Sequence, residues 1–396
     1  SSIACASKKF NTISYDEDCR LISFLKEKKF PIEEPKLIST FNKVKKYLHF
    51  TNNSKDLKKC DIVYFAYDVP TDNHGKSNTK LIKKKIDKIL PSLSKKSIFV
   101  ILCQVAPGFT KKINWPENQK FYQVETLVFG NAIERALKPE RIIIGSSNMK
   151  LSKKIDFFVK SFNCPIICMN YESAELTKIS INICLVSSIT VANTLSEICE
   201  KIGANWNQII PALKMDRRIG KFSYLNPGLG IAGGNLERDL TNIKELSLTN
   251  NTHSKIIDAF KSNSKYCSEW VYRKIKKQKT TKLAIWGVTY KENTHSIKNS
   301  PSIKNIKLLS NYRINLYDPI VNLDNLKLKT INYTDKYKCL KDCEILAIFV
   351  PWDEFKEIDT EKFKKSFSGK LILDPYNALK NIKLGNKIKV LTIGNG

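Results

Sequence analysis

Short apolar runs alternate with amphipathic stretches over the first third of the chain. NTISYDED (11–18) reads as a strand ending in acid, and LISFLKEKKF (21–30) as helical. CDIVYFAYDVPTD (60–72) is a buried strand running into a polar loop. TKLIKKKIDKILPSL (79–93) is an amphipathic helix and SIFVILCQVAPG (97–108) a second buried strand. Continuous apolar strands separated by helices argue for βαβ units and a parallel sheet. The middle differs. From Ser173 to Ile202 there is helical periodicity with neither Gly nor Pro, long enough for a spine helix, and a second long helical stretch is expected from about Asn251 to Lys277.

The last third repeats the first. INLYDPI (314–320) parallels ISYDED, each a strand ending at Tyr-Asp. KDCEILAIFVPWDEF (341–355) parallels KKCDIVYFAYDVPTD, each a buried strand running into Val-Pro. TKLAIWGVTYKENT (281–294) adds a strand and loop, and GKLILDPYN (369–377) a final buried strand pair with a turn. KIKVLTIGNG (387–396) reads as a terminal strand. The fold class is therefore α/β: two Rossmann-like doubly wound domains joined by a central long-helix region. The expected divisions are 1–165, 166–277 and 278–396.

Between the helices lies Met215–Leu240, MDRRIGKFSYLNPGLGIAGGNLERDL. Gly228, Gly230, Gly233 and Gly234 fall close together, with Arg217 and Arg218 before them and Glu237, Arg238 and Asp239 after. Dense glycine lets backbone approach a ligand closely, and a guanidinium forks onto two phosphate oxygens. A flexible surface loop has the same local composition, so the surroundings must decide.

Composition narrows this picture. A length of 396 residues accommodates two or three domains, and 42% hydrophobic content suits a globular protein. No uninterrupted run of 18 apolar residues occurs, so no membrane span is expected. Eleven cysteines lie at scattered spacings with no CxxC pair, and the four histidines form no pair at ligand spacing. Reduced thiols in the cytoplasm are expected, with no metal. The net charge of +29 would suit nucleic acid. However, the lysines are spread through the chain and form no patch, which favours an anionic small substrate over nucleic acid.

Asp16 ends a strand that follows an opening helix. In a dinucleotide-binding βαβ unit an acid there accepts bonds from the adenosine ribose. The glycine fingerprint that should lie upstream is absent from the sequence given. We therefore expect the sequence to continue before Ser1, and the chain from Ser1 to bind NAD weakly.

The motifs in order resemble the UDP-glucose and GDP-mannose dehydrogenase family. FPIEEPKL (30–37) is similar to its PI-x-EP-x-L, VPTD (69–72) to its VPTP, and CQVAPGFT to its STVPPGT. VETLVFGNAIERALKPERIIIG resembles its PEFLREG…A…PxRIxxG, and AELTKISIN its AELxKxxxN. DRRIG…PGLGIAGGNLERD resembles its DxRIG…PGxGxGGxCxPKD, and GVTYKENTHSIKNSP its GxxFKxxTxDxRxSP. The resemblance spans nearly the whole chain. It implies an NAD-dependent enzyme that oxidises a sugar C6 hydroxymethyl twice, most simply UDP-glucose to UDP-glucuronate, as a homodimer through the central helix. In that family a cysteine thiolate captures the intermediate aldehyde.

Carried over by position, Lys178 matches the catalytic lysine and Asn182 the asparagine one turn on, Asp239 the acid that handles water, and Glu125 the first glutamate of PEFLREG. Phe129 occupies the second glutamate position. Asp16, Thr71, Gln104, Arg238 and Lys298 fall on the cofactor side. Arg218, Tyr224, Gly230, Gly233 and Lys291 fall on the nucleotide-sugar side. Arg238 stands for a lysine and Lys298 for an arginine, losing the bidentate fork. The largest departure is Asn235, at the position of the nucleophilic cysteine. A carboxamide cannot form a thiolate. A single oxidation, oxidation of the aldehyde's hydrate, a different nucleotide sugar, or binding without turnover all stay open.

Overall fold

A computed structural model describes residues 1–396 other than Glu33, Asn73, His74, Lys76, Phe129 and Asn386. Phe129, and Glu33 within FPIEEPKL, therefore lie outside the described residues. The chain forms two compact units, Ser1–Ile181 and Asn182–Gly396.

The first unit holds strands β1 (Thr12–Tyr15), β2 (Leu48–Thr51), β3 (Ile62–Phe65), β4 (Ile98–Ile101), β5 (Lys120–Gln123), β6 (Ile142–Gly145) and β7 (Ile166–Met169). β1 and β2 pair in parallel as a sheet of their own, and the other strands run in the order β3-β4-β5-β6-β7. All pairings are parallel except β5 with β6, which is antiparallel. Because β7 pairs with β6, this sheet extends past residue 165. Phe99, Ile101 and Tyr122 anchor its core with Ile82 and Ile86, the buried stripe of helix Thr79–Ile89. Those isoleucines recur at i and i+4, and the lysines between them stay at the surface, which is how so basic a helix still packs.

The second unit holds β8 (Lys282–Trp286), β9 (Arg313–Tyr317), β10 (Ile331–Tyr333), β11 (Ile345–Ile348), β12 (Leu371–Leu373) and β13 (Lys389–Leu391), in the order β10-β9-β8-β11-β12-β13 and all parallel. This is the doubly wound 3-2-1-4-5-6 arrangement. β8 and β11 are buried along almost their whole length, and Trp286 stacks on Phe355 with ring centroids 5.0 Å apart. GKLILDPYN yields one strand, β12, and a turn rather than a strand pair. Its partner β13 comes from KIKVLTIG, because Asp374 turns the chain by accepting the amides of Ala378 and Leu379.

The two repeats in the sequence map onto equivalent strands. β1 corresponds to β9 and β3 to β11, so β2-β1 in the first unit parallels β10-β9 in the second, and β3-β4-β5 parallels β11-β12-β13.

The spine helix runs over Tyr171–Ile202. By length and composition alone it could cross a membrane, and 33% of its most apolar window is buried within the protein. The helical stretch expected from Asn251 to Lys277 is two helices, Lys255–Ser268 and Trp270–Ile275, broken at Glu269. Neither Gly nor Pro marks that break, so the pattern alone does not reveal it. Two further helices, Trp206–Met215 and Asn235–Thr249, complete this region.

Candidate active site

In the first unit, β1, β3, β4 and β5 deliver their carboxyl ends to one side of the sheets, the side where ligands bind in open α/β folds. Asp16 directly follows β1, Thr71 lies in the loop after β3, Gln104 after β4 and Glu125 after β5. Asp16 accepts the amide of Asp18 at 2.9 Å, a turn that holds its carboxylate at the strand end. Glu125 accepts the amide of Leu127 at 3.2 Å. Asp16 at this point fits the ribose of a dinucleotide. No Gly-x-Gly-x-x-Gly run occurs within 1–165.

A residue that motif reading passed over organises the next loop. Glu175, fully buried in the first turns of the spine helix, accepts the amides of Gly108 at 2.5 Å and Thr110 at 2.7 Å. It thereby pins the CQVAPGFT loop that carries Gln104. Burial pushes its carboxyl above the usual range, against the opposing pull of those amides. Its signal was the glutamate of AELTK, three residues before Lys178 and so on the same helix face.

Lys178 is half-buried on the spine helix, with Asn182 one turn later on the same face. In the second unit the Asn182 amide donates to the carboxylate of Asp239. Asp239 is fully buried, and the largely buried Arg238 places its Nε 3.6 Å from the Asp239 carboxylate. A carboxylate so far from water persists only where donors surround it. Asn235 is exposed as the first residue of helix Asn235–Thr249, one turn ahead of Asp239.

The glycine stretch is held, not loose. The amide of Gly228 donates to Asn193 Oδ1 at 2.7 Å, that of Leu229 to the Tyr376 hydroxyl at 3.4 Å, and that of Ile231 to Ser264 Oγ at 2.8 Å. Asn299 donates to the carbonyls of Ile231 and Gly233, both at 3.4 Å. Gly228, Gly230 and Gly233 have the spacing of a dinucleotide fingerprint. No strand feeds them, because the residues from 223 to 228 are irregular, so the βαβ context is missing. Gly230 has φ 75°, and a Cβ there would lie 2.5 Å from the Ser264 carbonyl oxygen. Gly230→Ala is therefore expected to destabilise the protein by about 2–4 kcal/mol, from left-handed strain plus a clash with backbone. Urea unfolding measures it, and an unchanged midpoint would contradict the reading.

Lys298 is exposed yet lies across Gly234, whose added Cβ would meet Lys298 Cδ and Cε at 2.9 Å. Lys291 sits 5.9 Å from the centroid of Tyr290, whose ring covers Gly233. These residues gather at the glycine stretch. Arg218 and Tyr224 do not join them. Arg218 is exposed and forks onto Asp216, at 3.0 Å through Nε and 2.7 Å through Nη2, and Tyr224 is half exposed. The anchors Asn193, Ser264, Asn299 and Tyr376 come from separate elements, so sequence pattern does not link them to the glycine stretch.

Parallel strands whose first ends at an acid, as β1 does at Asp16, are the arrangement of a dinucleotide-binding α/β protein. Three family descriptions match in succession: the NAD binding domain over residues 1–162, the central domain over 172–265 and the UDP binding domain over 284–381. The chain belongs to the UDP-glucose/GDP-mannose dehydrogenase family, and its cofactor is NAD. It is 27% identical over 399 residues to a UDP-glucose 6-dehydrogenase of Rickettsia typhi, covering 94% of this chain and 91% of that one. It is 26% identical over 416 residues to a UDP-N-acetyl-D-mannosamine dehydrogenase of Methanococcus maripaludis, covering 99% and 93%. Its fold is that of a UDP-glucose dehydrogenase from Pyrobaculum islandicum, with a TM-score of 0.85 at 19% identity, covering 100% of this chain and 94% of that one.

Proposed function

We propose that this chain oxidises the C6 hydroxymethyl of a nucleotide sugar, with UDP-glucose the leading substrate, and that its own residues equip it for the first oxidation. The observation that carries this is the buried Asn182–Asp239 pair, with Asn182 one turn after Lys178 on the spine helix. The ammonium of Lys178 stabilises the alkoxide as the C6 hydroxyl passes its proton to a water held by the Asp239 carboxylate. NAD, when bound, supplies the hydride acceptor. Asn182 fixes the Asp239 carboxylate, which takes or orders a water. Glu125 orders the reacting groups, Asp16, Thr71 and Gln104 are assigned to the cofactor, and Arg238 and Lys298 supply positive charge toward it. Lys291, Gly230 and Gly233 shape the sugar side, with Arg218 and Tyr224 contributing from the exposed segment before the glycine stretch.

With Asn235 at the family's cysteine position, no thiohemiacetal forms, and the aldehyde is the expected product. Counting NADH per sugar consumed tests this: one supports it, and two contradicts it and points to oxidation of the hydrate. The same assay run with UDP-glucose and UDP-N-acetylmannosamine identifies the sugar, which relatives of both kinds leave open. Asn235 also favours a second reading, a silent nucleotide-sugar-binding protein, for which UDP-sugar would raise the melting temperature without producing NADH.

We also propose a homodimer through the spine helix. Val191, Leu195, Ile198 and Ile202 are exposed at spacings of four, three and four, an apolar stripe down one helix face. Eleven free cysteines support a reducing compartment, the cytoplasm.

A further inference from the structure

We propose that Glu17 sets the dinucleotide preference of this chain by occupying two lysines that would otherwise accept a 2′-phosphate. The inference rests on Asp16, directly after β1, marking the ribose side of the cofactor site, with Glu17 beside it in the chain. An acid where Asp16 stands takes the ribose hydroxyls of NAD, whereas a cofactor phosphorylated at the 2′ position needs a cation nearby.

The cations are present. Lys85 and Lys88 lie three apart on helix Thr79–Ile89, hence on one face, and both reach the residue next to Asp16. Glu17 takes one ammonium on each oxygen: Lys85 on Oε1, and Lys88 on Oε2 at 2.9 Å. Lys85 is further held 4.2 Å above the Tyr67 ring, so its position does not depend on Glu17 alone. The four charges of Asp16, Glu17, Lys85 and Lys88 cancel. Without Glu17 the group carries a net positive charge and two ammonium groups able to donate to phosphate. The hydrogen bonds from Lys85 and then Lys88 hold the Glu17 carboxyl down at about 2, so the lysines stay occupied throughout the working pH range. An exposed ion pair of this kind contributes little to stability, which separates a role in cofactor choice from a structural one.

The test is Glu17→Gln in the full chain. Binding of NAD+, NADP+, 5′-AMP and 2′,5′-ADP is measured by calorimetry, with UDP-glucose as control. The NADP+ to NAD+ affinity ratio is expected to rise about tenfold, the gain of one hydrogen bond to a charged group. The ratio for 2′,5′-ADP over 5′-AMP should move the same way, and the melting temperature should stay unchanged. Adding Lys85→Ala to Glu17→Gln is expected to reverse most of the gain. An unchanged ratio overturns the proposal. So does wild-type protein that binds NADP+ as tightly as NAD+. Failure to bind UDP-glucose while the nucleotide preference shifts would count against the sugar reading and leave the assignment of Glu17 standing.

Discussion

Asp239→Asn is expected to lower turnover by about 100- to 1,000-fold, the range for losing a group that handles a proton or a reacting water. The substitution keeps the volume of a fully buried side chain and retains an oxygen for the Asn182 amide. The fold should therefore survive, and near-native melting behaviour with collapsed turnover is the outcome that supports the role. Asn182→Ala is the complementary change. It removes a donor from a buried carboxylate and should cost about 2 kcal/mol of stability, together with part of the turnover. If Asp239→Asn retained wild-type turnover with folded protein, Asp239 would be a structural acid only.

Asn235→Cys is expected to raise the yield from about one NADH per sugar to two. Three features of the position favour a working thiol. It is exposed to an incoming aldehyde, it is the first residue of a helix spanning Asn235–Thr249, and it lies one turn before Asp239. A helix N-terminus stabilises thiolate over thiol. The thiolate would add to the aldehyde, the resulting thiohemiacetal would yield the second hydride, and water would release the acid from the thioester. Trapping the thioester in the variant, by mass spectrometry of denatured protein, gives a readout independent of NADH. A variant that still stops at one NADH and shows no adduct would mean that more than the cysteine separates this chain from two-step relatives. Glu125 and position 129 would be the next to examine.

Motif order and strand pattern carried far. The Tyr-Asp and Val-Pro repeats pick out β1 with β9 and β3 with β11, because a buried parallel strand must be continuously apolar and its polar loop must follow its carboxyl end. Lys178 and Asn182 share a face for a reason equally local, the helical period. The break at Glu269, between helices Lys255–Ser268 and Trp270–Ile275, was not legible, because no helix breaker causes it. Nor was the exposure of Arg218. Its charge marks it as a ligand for anions, but its nearest carboxylate, Asp216, is two residues away and claims it.

The two α/β halves, the spine helix between them and the family are readable along the chain itself. Each of these is written in residue type, periodicity or order, which neighbours in the chain suffice to reveal. Only the tertiary structure decided that the glycine stretch is a pinned turn, that Glu175 holds the CQVAPGFT loop, and that Glu17 closes over Lys85 and Lys88. Those contacts join residues about 30 to 150 positions apart. A hydrogen bond depends on distance in space, and the pattern along the chain does not encode it.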